Sequence, residues 1–192
     1  MKQLFIAVRV FIALTILTGF LYTFAITAFA RIIFPRAAGG SLVAADGHVR
    51  GSMLIAQEFS NAGYFRPRPS AISYNPLPSG GSNLSVISHD LKKAMDDRRQ
   101  AFQTANGLTS DVSVPQDMLF SSASGLDPHI SPEAARLQIH RVAGERHMSP
   151  LQMDALAALV ERSIEKPQLG FLGMARVNVL RLNLMVKSLK HY

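Results

Sequence analysis

Val10 to Ala30 is a run of 21 residues without one charged side chain, and it limits this chain more than any other stretch. At 1.5 Å of rise per residue it makes a helix of ~31 Å, the thickness of a ~30 Å hydrocarbon core. Eleven of the 21 are Leu, Ile, Phe or Val. Each favours insertion by about 0.3–0.6 kcal/mol, so the run crosses a bilayer once. Arg9 and Arg31 bracket it and can snorkel to the two interfaces. The rival is a cleaved signal peptide, because Lys2 and Arg9 supply a basic start and Ala28-Phe29-Ala30 resembles a small-residue cleavage site. Against it, the apolar run exceeds the about 7–15 residues of a signal core.

Within the run, Thr15, Gly19, Thr23 and Thr27 recur every fourth residue. Small side chains at that spacing line one stripe of a helix, where a second helix backbone can approach. A tolerated set of Thr and Gly in a lone anchor is the alternative. Charge does not set the orientation, since Lys2, Arg9 and the amino terminus balance Arg31 and Arg36.

The net charge of +7 follows from the same segment. Up to Ala45 there are four basic residues and no acid, whereas 16 Lys and Arg meet 13 Asp and Glu from Asp46 onward. The basic balance therefore flanks a membrane segment and does not form a phosphate-gripping face, which argues against nucleic acid as a partner. Without Cys there are no disulfides, thiolate metal sites or Cys nucleophiles.

Gly39-Gly40-Ser41 marks the exit from the helix, giving a division into residues 1–38 and 39–192. The second part is long enough for one core. Leu42–Ala44 and Val49–Ile55 flank Asp46-Gly47 and predict a hairpin. Val177–Leu184 alternates as a strand, with Asn178, Leu180, Leu182 and Leu184 on one face. Three helices are punctuated between them. Asp90–Asn106 runs from a Ser88 cap to Gly107, with Leu91, Ala94, Met95, Arg98 and Phe102 on one side. Ser131-Pro132-Glu133 opens the second. Ser149-Pro150-Leu151-Gln152 opens the third as a capping box, with Met153, Leu156, Ala157, Val160 and Ile164 along it. The fold class is α+β, a single membrane helix followed by one small domain.

Two stretches exceed that plan. Tyr64–Leu84 carries four Pro, which forbid helix and disfavour a central strand, so it is a shaped loop. Its Ser79-Gly80-Gly81-Ser82-Asn83 could form an amide nest for an anion, but it lacks the Lys and spacing of a P-loop, and a structural turn is the ordinary use of such residues. Ser121–Pro132 offers Ser124, Asp127 and His129, a set that could make a hydrolase with Ser124 as nucleophile and His129 as base. It has no nucleophile elbow, and turn-capping by Asp127 and His129 is the simpler role. A metal site on His129, His140 or His147 lacks any tight ligand spacing.

These two loops also carry a resemblance. Gly51–Gln57, Tyr64–Leu84, Ser124–Ala135 and Arg176–Leu184, in this order behind one apolar helix, resemble KdpC, the C subunit of the bacterial Kdp potassium-transporting P-type ATPase. Ser79–Leu84, Arg68-Pro69-Ser70-Ala71 and Ser124–Ser131 are the most specific pieces. Ala56, Ala123 and the turn Gly173-Met174-Ala175-Arg176 depart from the family pattern, as does the basic C-terminus.

The resemblance implies a non-catalytic accessory subunit of a high-affinity, ATP-driven potassium import complex in the cell inner membrane. Its N-terminus would be cytoplasmic and its domain extracytoplasmic. The implied partners are a channel-like potassium-translocating subunit, an ATP-hydrolysing subunit and membrane lipid. The family is described as a catalytic chaperone that raises the ATP affinity of the ATPase subunit. ATP and potassium would belong to the complex, with no cofactor on this chain, which has neither a Walker motif nor an Asp-Lys-Thr-Gly phosphorylation motif. The partner-facing or structural loop residues are Gln57, Arg68, Asn75, Ser79, Gly80, Gly81, Ser82, Asn83, Ser124, Gly125, Asp127 and His129. A membrane-anchored hydrolase or solute-binding module is the alternative function.

Overall fold

In a computed structural model, residues 1–45 and 47–189 are described. The Asp46 half of the expected hairpin turn lies outside them. The chain divides into two units, Met1–Ser52 and Met53–Tyr192.

The first unit is one continuous helix, Lys2–Ile33, long and apolar enough to cross a membrane, followed by a hairpin. Its ends are α-helical (α1, Lys2–Leu14; α2, Thr23–Ile33), whereas Thr15–Tyr22 winds in wider turns with i→i+5 hydrogen bonding. The Thr hydroxyls bond back into the helix: Thr15 Oγ1 donates to Phe11 O at 2.8 Å and Thr27 Oγ1 to Thr23 O at 2.7 Å. No hydroxyl on the stripe is thus left orphaned in hydrocarbon, since Thr23 Oγ1 reaches Thr18 O at 3.1 Å. After Pro35–Ala38 (α3), Leu42–Ala45 (β1) pairs antiparallel with His48–Ser52 (β2). The second strand ends at Ser52, three residues short of the expected Ile55, with a turn following.

The second unit surrounds a small antiparallel sheet, His129–Ile130 (β3), Ile164–Glu165 (β4) and Arg176–Asn178 (β5), with β5 in the middle. Helices pack about it: His89–Ala105 (α4), Gln116–Leu119 (α5), Pro132–Leu137 (α6), Ile139–Glu145 (α7), Pro150–Arg162 (α8) and Val179–Ser188 (α9). Phe65, Val142, Leu156, Val160, Val177 and Leu182 are fully enclosed in the core. Two of the three expected caps form, whereas Ser88 stands at the start of α4 without a side-chain cap bond. Ser131 Oγ accepts from Ala134 N, and Ser149 and Gln152 form both halves of the capping box. Helix α4 ends at Gly107 with φ +62°.

One expected strand is a helix. Only Val177 and Asn178 of the Val177–Leu184 segment belong to β5, and from Val179 the chain coils as α9. Asn178 Oδ1 accepts from Arg181 N at 3.0 Å, capping the helix. Val179, Leu182 and Val186 then bury at helical spacing, which outweighs the alternation of Leu180, Leu182 and Leu184. Ile164, expected at the end of the third helix, sits in β4 instead.

Candidate functional site

The Pro-rich loop is not free to move as its composition suggests, because buried amides hold its first half. Asn183 Oδ1 accepts from Phe65 N at 2.8 Å and its Nδ2 donates to Phe65 O at 2.9 Å. Gln138 does the same to Arg66, accepting from its N–H at 2.8 Å and donating to its carbonyl at 3.2 Å. Each side chain thereby replaces a strand neighbour for a segment whose prolines exclude a ladder. Arg141, 9% exposed, donates to Ala62 O, Tyr64 O, Gln138 Oε1 and Asn106 Oδ1. Burial and the nearby Arg66 pull its guanidinium down to about 10, against a weaker pull from Glu145. Gln138, Arg141 and Asn183 escaped sequence reasoning. Their only signal was a polar residue at a position where helical spacing demands an apolar one.

The second half of the loop is fastened to the Ser121–Pro132 segment. Ser122 N donates to Pro69 O at 3.2 Å and Gly80 N to Ser124 O at 3.1 Å. Gly125 closes the contact at φ +69°, where a Cβ would lie 2.4 Å from Ile72 Cγ1 and 2.9 Å from Gly80 O. Gly81 is close as well, though less so, since a Cβ there would sit 3.0 Å from Ala123 O. The Gly80 amide is therefore committed to the protein, which supports the structural-turn use of Ser79–Asn83 over an anion nest. Ser79, Ser82 and Asn83 are exposed, with Asn83 at φ +52°. Asn75 Oδ1 accepts from Leu77 N at 3.1 Å. Gln57 is half-buried beside Ala56, whose N–H donates to Leu126 O at 2.8 Å.

Arg68, Asp127 and His129 are brought together. Arg68 Nη1 donates to Asp127 Oδ2 at 2.8 Å, while Asp127 Oδ1 accepts from His129 N at 3.0 Å and lies 3.4 Å from His129 Nδ1. Burial opposes ionisation of Asp127. The hydrogen bonds from His129 and Arg68 outweigh it and hold the carboxyl down at about 2. Ser124 is not part of this cluster: its Oγ accepts from Leu126 N at 3.1 Å in its own turn. Among the described residues no hydrogen bond joins Ser124 to His129, so the nucleophile–base contact of a hydrolase is missing.

A cleft of ≈1040 Å³ lies beside this cluster, lined by Arg68, Asp127 and His129 together with Asp117, Phe120 and Arg136. Most of its charges are engaged, although Arg68 Nε is buried without a hydrogen-bond partner. Asp117 accepts from Ser131 N at 2.7 Å and Ser131 Oγ at 3.0 Å, and Arg136 forks onto Glu161 at 2.6 and 2.9 Å. Among the described residues no three His, Asp or Glu side chains gather to hold a metal. Fastened loops and large exposed apolar side chains make a surface suited to recognition. Leu77, Val86 and Ile87 are 82%, 90% and 91% exposed.

Residues 4–188 match the family model described as KdpC, K+-transporting ATPase, c chain. The chain is 46% identical over 193 residues to the potassium-transporting ATPase KdpC subunit of Geotalea uraniireducens, covering 98% of this chain and 99% of that protein. It is 47% identical to the KdpC subunit of Geobacter sulfurreducens over the same shares, and 43% identical to that of Klebsiella pneumoniae, covering 96% of each.

Proposed function

Because this chain belongs to the KdpC family, and is therefore a non-catalytic, membrane-associated subunit of a potassium-transporting ATPase, we propose that its fastened loop pair is the surface on which the complex is assembled. The partners in this reading are a channel-like potassium-translocating subunit and an ATP-hydrolysing P-type subunit. The N-terminus faces the cytoplasm and the domain lies outside the inner membrane. ATP and potassium are handled by those partners, and this chain carries no cofactor.

The observation that carries the reading is how the loops are fastened. A Pro-rich segment is clamped by Asn183 and Gln138 at one end and by Gly80 and Gly125 at the other. It still leaves Leu77 in water. A surface ordered before binding avoids the entropy that a flexible loop loses on docking. Support of ATP use, as a chaperone raising the ATP affinity of the ATPase subunit, then acts through assembly, because no phosphate-binding motif lies on this chain.

The test is Leu77→Asp in the tagged full-length chain, extracted in detergent from its native membrane at low potassium. That side chain is exposed, so the fold is expected to persist while the recovered ATPase and potassium subunits fall by about tenfold, roughly 1.4 kcal/mol of association. Undiminished recovery would remove this loop from the interface.

A further inference from the structure

Between Lys166 and Arg176 lie nine uncharged residues that fold into a hairpin finger. Gln168 and Leu172 exchange both backbone hydrogen bonds at 2.9 Å. Leu169, at φ +54°, and Gly170, at φ +85°, turn the tip. Four large apolar side chains project from it: Leu169 is 83% exposed, Phe171 75%, Leu172 49% and Met174 85%. Single exposed hydrophobics are ordinary on a protein surface, but four of them on one finger mark a place where something apolar belongs.

We infer that the Leu169–Met174 finger inserts into the headgroup and acyl boundary of a phospholipid bilayer. Three observations choose lipid over a protein partner. The finger belongs to a chain that carries a helix long and apolar enough to cross a membrane, and only residues 34–52 join that helix to the unit bearing the finger. The base of the finger is basic: Lys166, Arg176 and Arg181 stand against Glu165 alone, which Arg176 meets at 3.1 Å. A cationic collar beneath an apolar tip suits anionic headgroups, whereas Val86 and Ile87 are set among neutral Ser and Asn, as suits a protein surface.

The tip also brings few unsatisfied amides into the apolar phase. The N–H groups of Gln168, Gly170, Phe171 and Leu172 are all bonded within the finger. Insertion thus removes apolar side chains from water while these four donors keep their partners. The inference rests on the membrane anchor alone, and on neither the orientation nor the partners proposed above.

The chain contains no Trp, so one introduced indole reports without background. The full-length chain carrying Phe171→Trp, or independently Met174→Trp, is reconstituted into phosphatidylethanolamine and phosphatidylglycerol vesicles with brominated acyl chains. Thr104→Trp, at an exposed position of α4, serves as the water-facing reference. Both finger reporters are expected to emit at shorter wavelength than the reference, lose most of their emission to brominated lipid and resist aqueous iodide. Finger reporters that behave as the reference does would overturn the inference. So would loss of the lipid quenching, with iodide protection kept, when the partner subunits are co-reconstituted, because that result seats the finger on protein. Loss of this lipid contact leaves the loop-pair interface standing, and failure of the loop-pair test leaves the finger untouched.

Discussion

Gly125 and Gly107 both hold positive φ, yet their surroundings separate what a side chain would cost. At Gly107 a Cβ meets nothing within 4 Å, so Gly107→Ala loses only the left-handed backbone preference, about 1 kcal/mol. At Gly125 the same atom strikes Ile72 and the Gly80 carbonyl, and Gly125→Ala should cost about 2–4 kcal/mol in a denaturant titration, with the two loops separating first. Equal losses at both sites would refute the close contact. Asp127 makes a pH-dependent prediction. Its carboxyl titrates near 2 when folded against an ordinary 3.8, so the ionised form favours the folded state. That contribution is complete above pH 4 and disappears as the pH falls through about 2. After discounting for solvent screening it is on the order of 1 kcal/mol, which Asp127→Asn removes at pH 7. Unfolding midpoints of the two proteins should converge on acidification from about pH 4 to about pH 2, and a gap that persists at pH 2 would contradict the Arg68–Asp127–His129 geometry.

At the scale of elements, Asn178 decides where β5 ends and α9 begins. Its Oδ1 caps α9 at Arg181 N, while its Nδ2 donates to Met53 O at 2.8 Å. Asn178→Ala removes both and should cost about 2 kcal/mol, while Asn178→Asp keeps the cap and recovers about half of it, readable as thermal unfolding of the full chain. The sequence pattern could not decide this junction, because Leu180, Leu182 and Leu184 satisfy a strand as well as Val179, Leu182 and Val186 satisfy a helix. The arbiter is a side-chain hydrogen bond that only the folded chain shows. Caps written in local chemistry were legible for that reason: Ser131 and Ser149 bond within three residues of themselves. The loops were legible as loops from their prolines, and their place in the site from the family motifs. The clamps were not, since Asn183 reaches Phe65 across 118 residues and Gln138 reaches Arg66 across 72. Nothing in the neighbourhood of either residue encodes its partner.

At the scale of the whole molecule, membership of a complex makes demands on the anchor that crossing a bilayer does not. Apolar length suffices for insertion, yet the helix carries Thr15, Gly19, Thr23 and Thr27 where Leu would insert more favourably. In a pure α-helix each four-residue step overshoots a turn by about 40°, so such a stripe would wind around the surface. The wider turns over Thr15–Tyr22 make the same step fall short, so the drift before Thr23 opposes the drift after it and the stripe stays narrow. Its hydroxyls are satisfied inside the helix, which leaves methyls and the Gly19 Cα to meet a neighbour. Gly19→Leu tests that use cleanly. A Cβ at Gly19 comes no closer than 4.0 Å to Thr15 Cγ2, and Leu is the better helix former, so the lone anchor should insert at least as well as before. Any loss then belongs to a partner helix held away, about 1 kcal/mol or a fivefold weaker association, seen as fewer partner subunits recovered with an unchanged amount of this chain in the membrane. Full recovery with Leu at this position would make the stripe a tolerated feature of a single-pass anchor and leave assembly to the loops outside it.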